Sequence, residues 1–165
     1  MQLPLKTPRL LLRPLHENDA AFILELVNSP GWLEFIGDRN VHTIDDATNY
    51  IQNILTSAQL SYTVFEDKET RSALGILTYI QRPYLNAPDF GFAMLPEYSG
   101  LGYAREAAQA FLNHLSEQDP HTPLLAITLP DNIRSIRLLE HLGFTYQEVL
   151  ETEEETRYIY KLSKT

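Results

Sequence analysis

The chain has 165 residues, a formal net charge of −9 and no cysteine. Its length and its ordinary globular composition, 44% hydrophobic and 21% charged, predict one compact domain over residues 1–165 that buries a core without disulfides. The acidic balance argues against nucleic acid and anionic membranes as partners. The lack of cysteine excludes thiolate zinc sites and a cysteine nucleophile.

The stretch from Met1 to Arg13 holds no apolar run of the kind a secretory leader needs, and no segment is long and apolar enough to cross a bilayer, so a cytoplasmic setting is expected. Arg9 to Arg13 reads as a short strand closed by Pro14. A helix is predicted over about Asn18 to Asn28, with Phe22, Ile23, Leu26 and Val27 on one face and Pro30-Gly31 as its stop. Thr43 then caps a second helix with Asp46 three residues on, and Ala47, Tyr50, Ile51, Ile54 and Leu55 follow at helical spacing.

The period changes next. Tyr62 to Glu66, Ala73 to Gln81 and Asp89 to Leu95 read as strands, with Pro83 and Pro88 bracketing a loop. A helix from about Gly102 to Glu117 buries Ala107, Ala108, Phe111, Leu112 and Leu115. Leu124 to Leu129 is a buried strand, Ile133 to Leu142 a helix stopped by Gly143, and Phe144 to Leu150 with Arg157 to Leu162 a closing hairpin. The acidic stretch Glu151 to Glu155 reads as its solvated tip. This order defines a mixed α/β layer around a three-strand meander, not a doubly wound sheet.

The segment Leu95-Pro96-Glu97-Tyr98-Ser99-Gly100-Leu101-Gly102-Tyr103-Ala104-Arg105 carries the chemistry. A strand ends, two glycines free the backbone, and a helix begins whose first N–H groups can face an anion. By itself such a turn is more often structural than a binding site. It lacks the third glycine of a dinucleotide fingerprint and the Lys-Ser/Thr pair of a nucleotide loop. The five histidines show no metal-ligand spacing, and no metal is expected.

Three ordered motifs resemble the GNAT family of N-acetyltransferases. They are Asp89-Phe90-Gly91-Phe92 running into the double-glycine turn, Pro130-Asp131-Asn132 running to Gly143-Phe144, and Thr7-Pro8-Arg9-Leu10-Leu11-Leu12-Arg13-Pro14-Leu15. The last resembles the branch that acetylates ribosomal-protein N-termini, and Ile36-Gly37-Asp38-Arg39 sits in the matching interhelical loop. The resemblance implies a mostly antiparallel central sheet with helices on both faces, acetyl-CoA as cofactor and a primary amine as acceptor. A homodimer is left open. It also implies a bulge in the Asp89 to Leu95 strand whose N–H near Met94 faces the thioester oxygen. Met94, Leu95, Ser99 to Arg105, Asn132, Ser135 and Leu138 are then expected at the cofactor.

Asp89 is the expected base, through water, because it stands where relatives often carry glutamate; a strand-end cap or an ion pair with an arginine is the alternative. Glu97 and Glu106 are weaker candidates. Ser135 is the expected acid for the departing thiolate, or simply a local helix hydrogen bond. Asn132 binds the pantetheine or caps its helix. Trp32, Phe35, Tyr79 and Tyr84 are candidates for the amine pocket, alongside Tyr50. The sequence departs from the family at Ser99, where glutamine or arginine is usual, and at Leu139, where many relatives have a tyrosine acid. Those departures motivate a rival reading, a non-catalytic acyl-CoA-binding sensor.

Overall fold

The computed structural model describes residues 3–163, so the sequence readings at residues 1, 2, 164 and 165 lie outside the described residues. The strands are β1 (Leu5–Lys6), β2 (Leu10–Pro14), β3 (Leu60–Asp67), β4 (Ala73–Ile80), β5 (Asp89–Met94), β6 (Leu124–Thr128), β7 (Thr145–Glu151) and β8 (Thr156–Leu162). The α-helices are α1 (Ala20–Val27), α2 (Pro30–Phe35), α3 (Ile44–Leu55), α4 (Tyr103–Gln118) and α5 (Ile133–His141). All the strands join one sheet in the order β1-β2-β3-β4-β5-β6-β8-β7. Every neighbouring pair is antiparallel except β5 with β6.

Strand alternation sorts the core into two faces. Phe65, Leu77, Phe90 and the helix α4 residues Ala107, Ala108 and Phe111 pack together with α5's Leu139. Val64, Ile76 and Ala93 pack instead against Ile23, Leu26 and Val27 of α1 and Ala47, Ile51 and Ile54 of α3. Helices therefore cover both faces, as expected.

Local chemistry explains most element ends. Thr43 accepts from the Asp46 N–H while the Asp46 carboxylate accepts back, a full capping box on α3. Pro30 does not merely end α1. It occupies the first turn of the short helix α2, where its missing N–H costs nothing, and Ser29 before it is extended. The sequence reading missed this helix and the two-residue β1.

β4 carries an extra residue against β3, between Phe65 and Glu66, whereas β5 pairs with β4 in unbroken register from Asp89 to Met94. The bulge expected in β5 is thus absent, and the irregularity lies one strand pair away. Gly75 allows it. A Cβ there would stand 2.3 Å from the Phe65 ring and 2.4 Å from the Ala93 carbonyl.

Candidate active site

β5 and β6 touch at one point. Asp89 pairs with Leu125, whose N–H donates to the Pro88 carbonyl at 2.8 Å. Beyond that point no further pair joins them, so the sheet opens as a wedge. The Leu95 N–H donates to Leu74 on β4. Antiparallel alternation then turns the N–H groups of Met94, Phe92 and Phe90 towards the wedge. A cavity of about 1160 Å³ follows this opening through the sheet.

At one end lies the double-glycine turn. Gly100 and Gly102 have φ of 81° and 82°, which only glycine adopts readily. The first backbone bond into α4 runs from the Glu106 N–H to the Gly102 carbonyl, and the N–H groups from Gly100 to Arg105 have no backbone acceptor within the described residues. Consecutive free donors at the positive end of a 16-residue helix form a ready anion site. Ser99, Gly100 and Ala104 line the main cavity, while Gly102 and Arg105 line a shallower cleft beside Lys6 and Thr7. The Ser99 hydroxyl turns back to the Pro96 carbonyl at 2.7 Å.

Leu101 and Tyr103 point elsewhere. Arg9 holds both: its guanidinium donates to the Leu101 carbonyl at 2.9 Å and lies 4.2 Å from the centre of the Tyr103 ring. Its Nε meets Glu106 Oε1 at 2.8 Å, and the Thr7 hydroxyl bonds the same carboxylate. Glu106 is therefore the clamp of the turn, not a free base. Burial raises its pKa, but the Thr7 and Arg9 bonds prevail and leave it below the usual carboxylate range. The sequence reading noted Arg9 only as a motif residue. Leu95, expected at the cofactor, does not line the cavity: it is buried among the α1 and α3 residues, and its N–H is already engaged.

On the far side of the wedge, Asn132 Oδ1 accepts from the Ser135 N–H at 3.3 Å and caps α5. The Ser135 hydroxyl makes no hydrogen bond within the described residues, and Asn132, Ser135 and Leu138 all line the cavity. Leu139, where many relatives carry a tyrosine, is 1% exposed and lines the same cavity with an apolar side chain that can donate no proton.

The α1–α3 side of the sheet forms the opposite mouth. Trp32, Phe35, Arg39, Tyr62, Arg82 and Tyr84 line it. Gly91 and Ala93, the smallest residues of β5, lie on this face and leave space beside the wedge. Tyr79 does not belong here. It shares a face with Leu77, packs against the α4 side and lines neither cavity, because strand parity sends it opposite to Thr78 and Ile80. That parity was readable in the sequence. Tyr50 instead meets Tyr62, with their hydroxyls 3.4 Å apart.

Asp89 is 6% exposed and accepts from Arg82 Nε at 2.7 Å through Oδ2. The ion-pair alternative is realised. Burial still pushes the Asp89 carboxyl above the ordinary range, against the pull of Arg82. Asp89 and Met94 stand at opposite ends of β5, about 16 Å apart at strand spacing; Phe92 is about 10 Å from Asp89. The acidic tip, read as solvated, also contributes: Glu153, Glu154 and Glu155 line the cavity, and Arg157 bonds Glu155.

A split sheet with free amides at one mouth and a pocket at the other has the shape to hold a long anionic carrier edge-on and present its end to a second molecule. Residues 9–145 match the acetyltransferase (GNAT) domain, so the chain belongs to the GNAT family of acetyltransferases and is an enzyme of acetyl transfer. It is 27% identical over 139 residues to the uncharacterized N-acetyltransferase YnaD of Bacillus subtilis, covering 83% of this chain and 79% of that one. A GNAT acetyltransferase from Bacillus anthracis superposes with a TM-score of 0.82 at 21% identity, covering 98% of both chains. RimL, a ribosomal L7/L12 α-N-protein acetyltransferase solved with coenzyme A, superposes with a TM-score of 0.83 at 16% identity, covering 96% of both.

Proposed function

We propose that the chain, acting as one domain, transfers the acetyl group of acetyl-CoA to a primary amine on a peptide N-terminus or a small molecule, by direct attack in a ternary complex. The observation that carries this reading is the wedge between β5 and β6, with the free N–H groups from Gly100 to Arg105 at one mouth and the Asp89 pocket at the other. The thioester supplies an activated acyl group. The chain's own residues must hold the pyrophosphate, shield the oxyanion, take the amine proton and ease thiolate departure.

The turn from Ser99 to Arg105 holds the pyrophosphate, and Asn132, Ser135 and Leu138 border the pantetheine arm. The N–H groups of Phe92 and Met94 face the acyl oxygen. Phe92 is the donor that Asp89 can serve through a short water chain. Asp89 takes the amine proton by that route: burial keeps its pKa raised, which suits the task, against Arg82 at its Oδ2 and the Ile127 N–H that also faces the carboxylate. The unbonded Ser135 hydroxyl donates towards the departing sulfur. The acceptor enters past Trp32, Phe35 and Tyr84.

Acetyl-CoA with a panel of peptides, polyamines and aminoglycosides, read by free thiol, tests the reaction. Amine-dependent thiol release is expected. Calorimetric acetyl-CoA binding without turnover on any amine would establish the sensor reading instead.

A further inference from the structure

We infer that the acceptor amine carries a carboxylate, which Arg82 and Arg39 receive at the mouth of the wedge. The inference rests on the acetyl-transfer reading and names the substrate class of that same cavity.

Arg82 is fixed from behind. Its Nε donates to buried Asp89, leaving both terminal nitrogens without a carboxylate. Arg39 follows α2 and lies 5.8 Å from the centre of the Trp32 ring, whose residue is 4% exposed and hence a rigid platform. No ion pair joins Arg39 to any described carboxylate. Both guanidinium groups line the same cavity. Both also act on the hydroxyl of half-buried Tyr62 in its floor, pulling its pKa down against the stronger effect of desolvation.

Two guanidinium groups thus stand beside one buried carboxylate, Asp89, which pairs with Arg82 alone. The Arg39 guanidinium is left without an ion-pair partner among the described residues, beside the Arg82–Asp89 pair, in a chain whose overall charge is −9. A planar carboxylate matches the guanidinium fork and would neutralise it. A polyamine would add a like charge. Of the other acids lining the cavity, Asp38 Oδ1 accepts from the Asn40 N–H, Glu155 is bonded by Arg157, and Glu34 is exposed to solvent. Glu153 and Glu154, exposed on the hairpin tip, border the cavity where they attract an ammonium. Cationic fork and acidic tip together suit a zwitterion, an amino acid or a close analogue.

The test uses product pairs, so it reads binding whether or not transfer occurs. N-acetylglycine, N-acetyl-L-leucine and N-acetyl-L-phenylalanine, each beside its carboxamide, are titrated into the CoA-loaded protein. At least one acid should bind about tenfold or more tightly than its amide. Arg39→Gln should bring the ratio close to one, and Arg39→Lys should restore part of it. Arg82→Gln should do the same, with Arg39→Gln as the safer variant because Arg39 is exposed and Asp89 keeps its partner. Equal binding of acid and amide across the three pairs, or a preference unmoved by both variants, overturns the inference. Thiol release assayed in parallel with the free amines separates the two readings. Turnover without carboxylate preference defeats the inference alone. Carboxylate preference without turnover supports it and defeats the transfer reaction alone.

Discussion

Glu106 on α4 reaches Arg9, which stands 97 positions earlier beside β2, and their side chains meet at 2.8 Å. The pair ties the turn that faces the anion to the edge of the sheet, since Arg9 also bonds the Leu101 carbonyl and covers Tyr103. Replacing Arg9 with glutamine removes all three contacts. Coenzyme A affinity should fall roughly tenfold, about 1.4 kcal/mol, with Arg9→Lys intermediate because an ammonium lacks the fork. Isothermal calorimetry of both variants checks this. Unchanged affinity would show that the turn holds its shape unaided.

The same pair predicts an acid limit. The Glu106 pKa lies below its ordinary value of 4.5 because the Thr7 and Arg9 bonds outweigh burial. A depressed carboxylate stabilises the fold fully above its unfolded pKa and loses that contribution as pH falls through the lower folded value. Thermal unfolding from pH 6 to pH 3 should therefore show a decline below about pH 4.5 that Glu106→Gln flattens. Parallel curves for the two proteins would refute it.

Gly100 and Gly102 separate two ways of spoiling the turn. A Cβ on Gly100 meets nothing within 4 Å, whereas one on Gly102 meets the Arg9 guanidinium at 3.4 Å. Gly100→Ala carries the left-handed backbone cost of about 1–2 kcal/mol. It should weaken cofactor binding and lower the melting temperature by a few degrees. Gly102→Val carries the same backbone cost and also crowds the Arg9 guanidinium, so it should lose at least about tenfold in affinity and destabilise further. Calorimetry paired with thermal melts distinguishes them. Equal behaviour in both assays would contradict the assignment of Arg9.

Asp89→Asn should lower turnover by about a hundredfold or more, the range for loss of a general base. The defect should shrink at high pH, where the amine loses its proton unaided. In the wild type, turnover should rise with pH through the Asp89 pKa, which lies above 3.8, as the carboxyl ionises. Ser135→Ala should cost less, and Met94→Leu should keep most activity, because Met94 offers its backbone and the swap conserves volume. A wild-type pH–rate profile in Asp89→Asn would remove Asp89 from the base role and leave it as the anchor of Arg82.

Gly75→Ala tests the packing beneath the site. The added methyl must displace the Phe65 ring, which is 0% exposed, or the Ala93 carbonyl on β5. Overpacking of this kind costs typically about 1–3 kcal/mol. Chemical denaturation should show that loss, and wild-type stability would mean that β4 and β5 relax more freely than their close approach implies.

The sequence by itself determined what depends on neighbours in the chain. The capping box of Thr43 and Asp46, the double-glycine helix start and the apolar face of α4 are set by residues within a turn of one another. Motif order further carried the fold class and placed Asp89, Ser135 and Asn132 beside the wedge. What only the tertiary structure decided depends on register between distant strands. Register puts Arg82 on Asp89, brings Glu106 to Arg9, turns Tyr79 away from the pocket and moves the expected bulge from β5 to the β3–β4 pair. Pro30 shows the same limit at short range, since a proline that stops one helix also suits the first turn of the next. An ion pair or a pocket wall is a relation between side chains fixed by packing across the sheet. Local propensity specifies each partner's backbone but leaves its companion open.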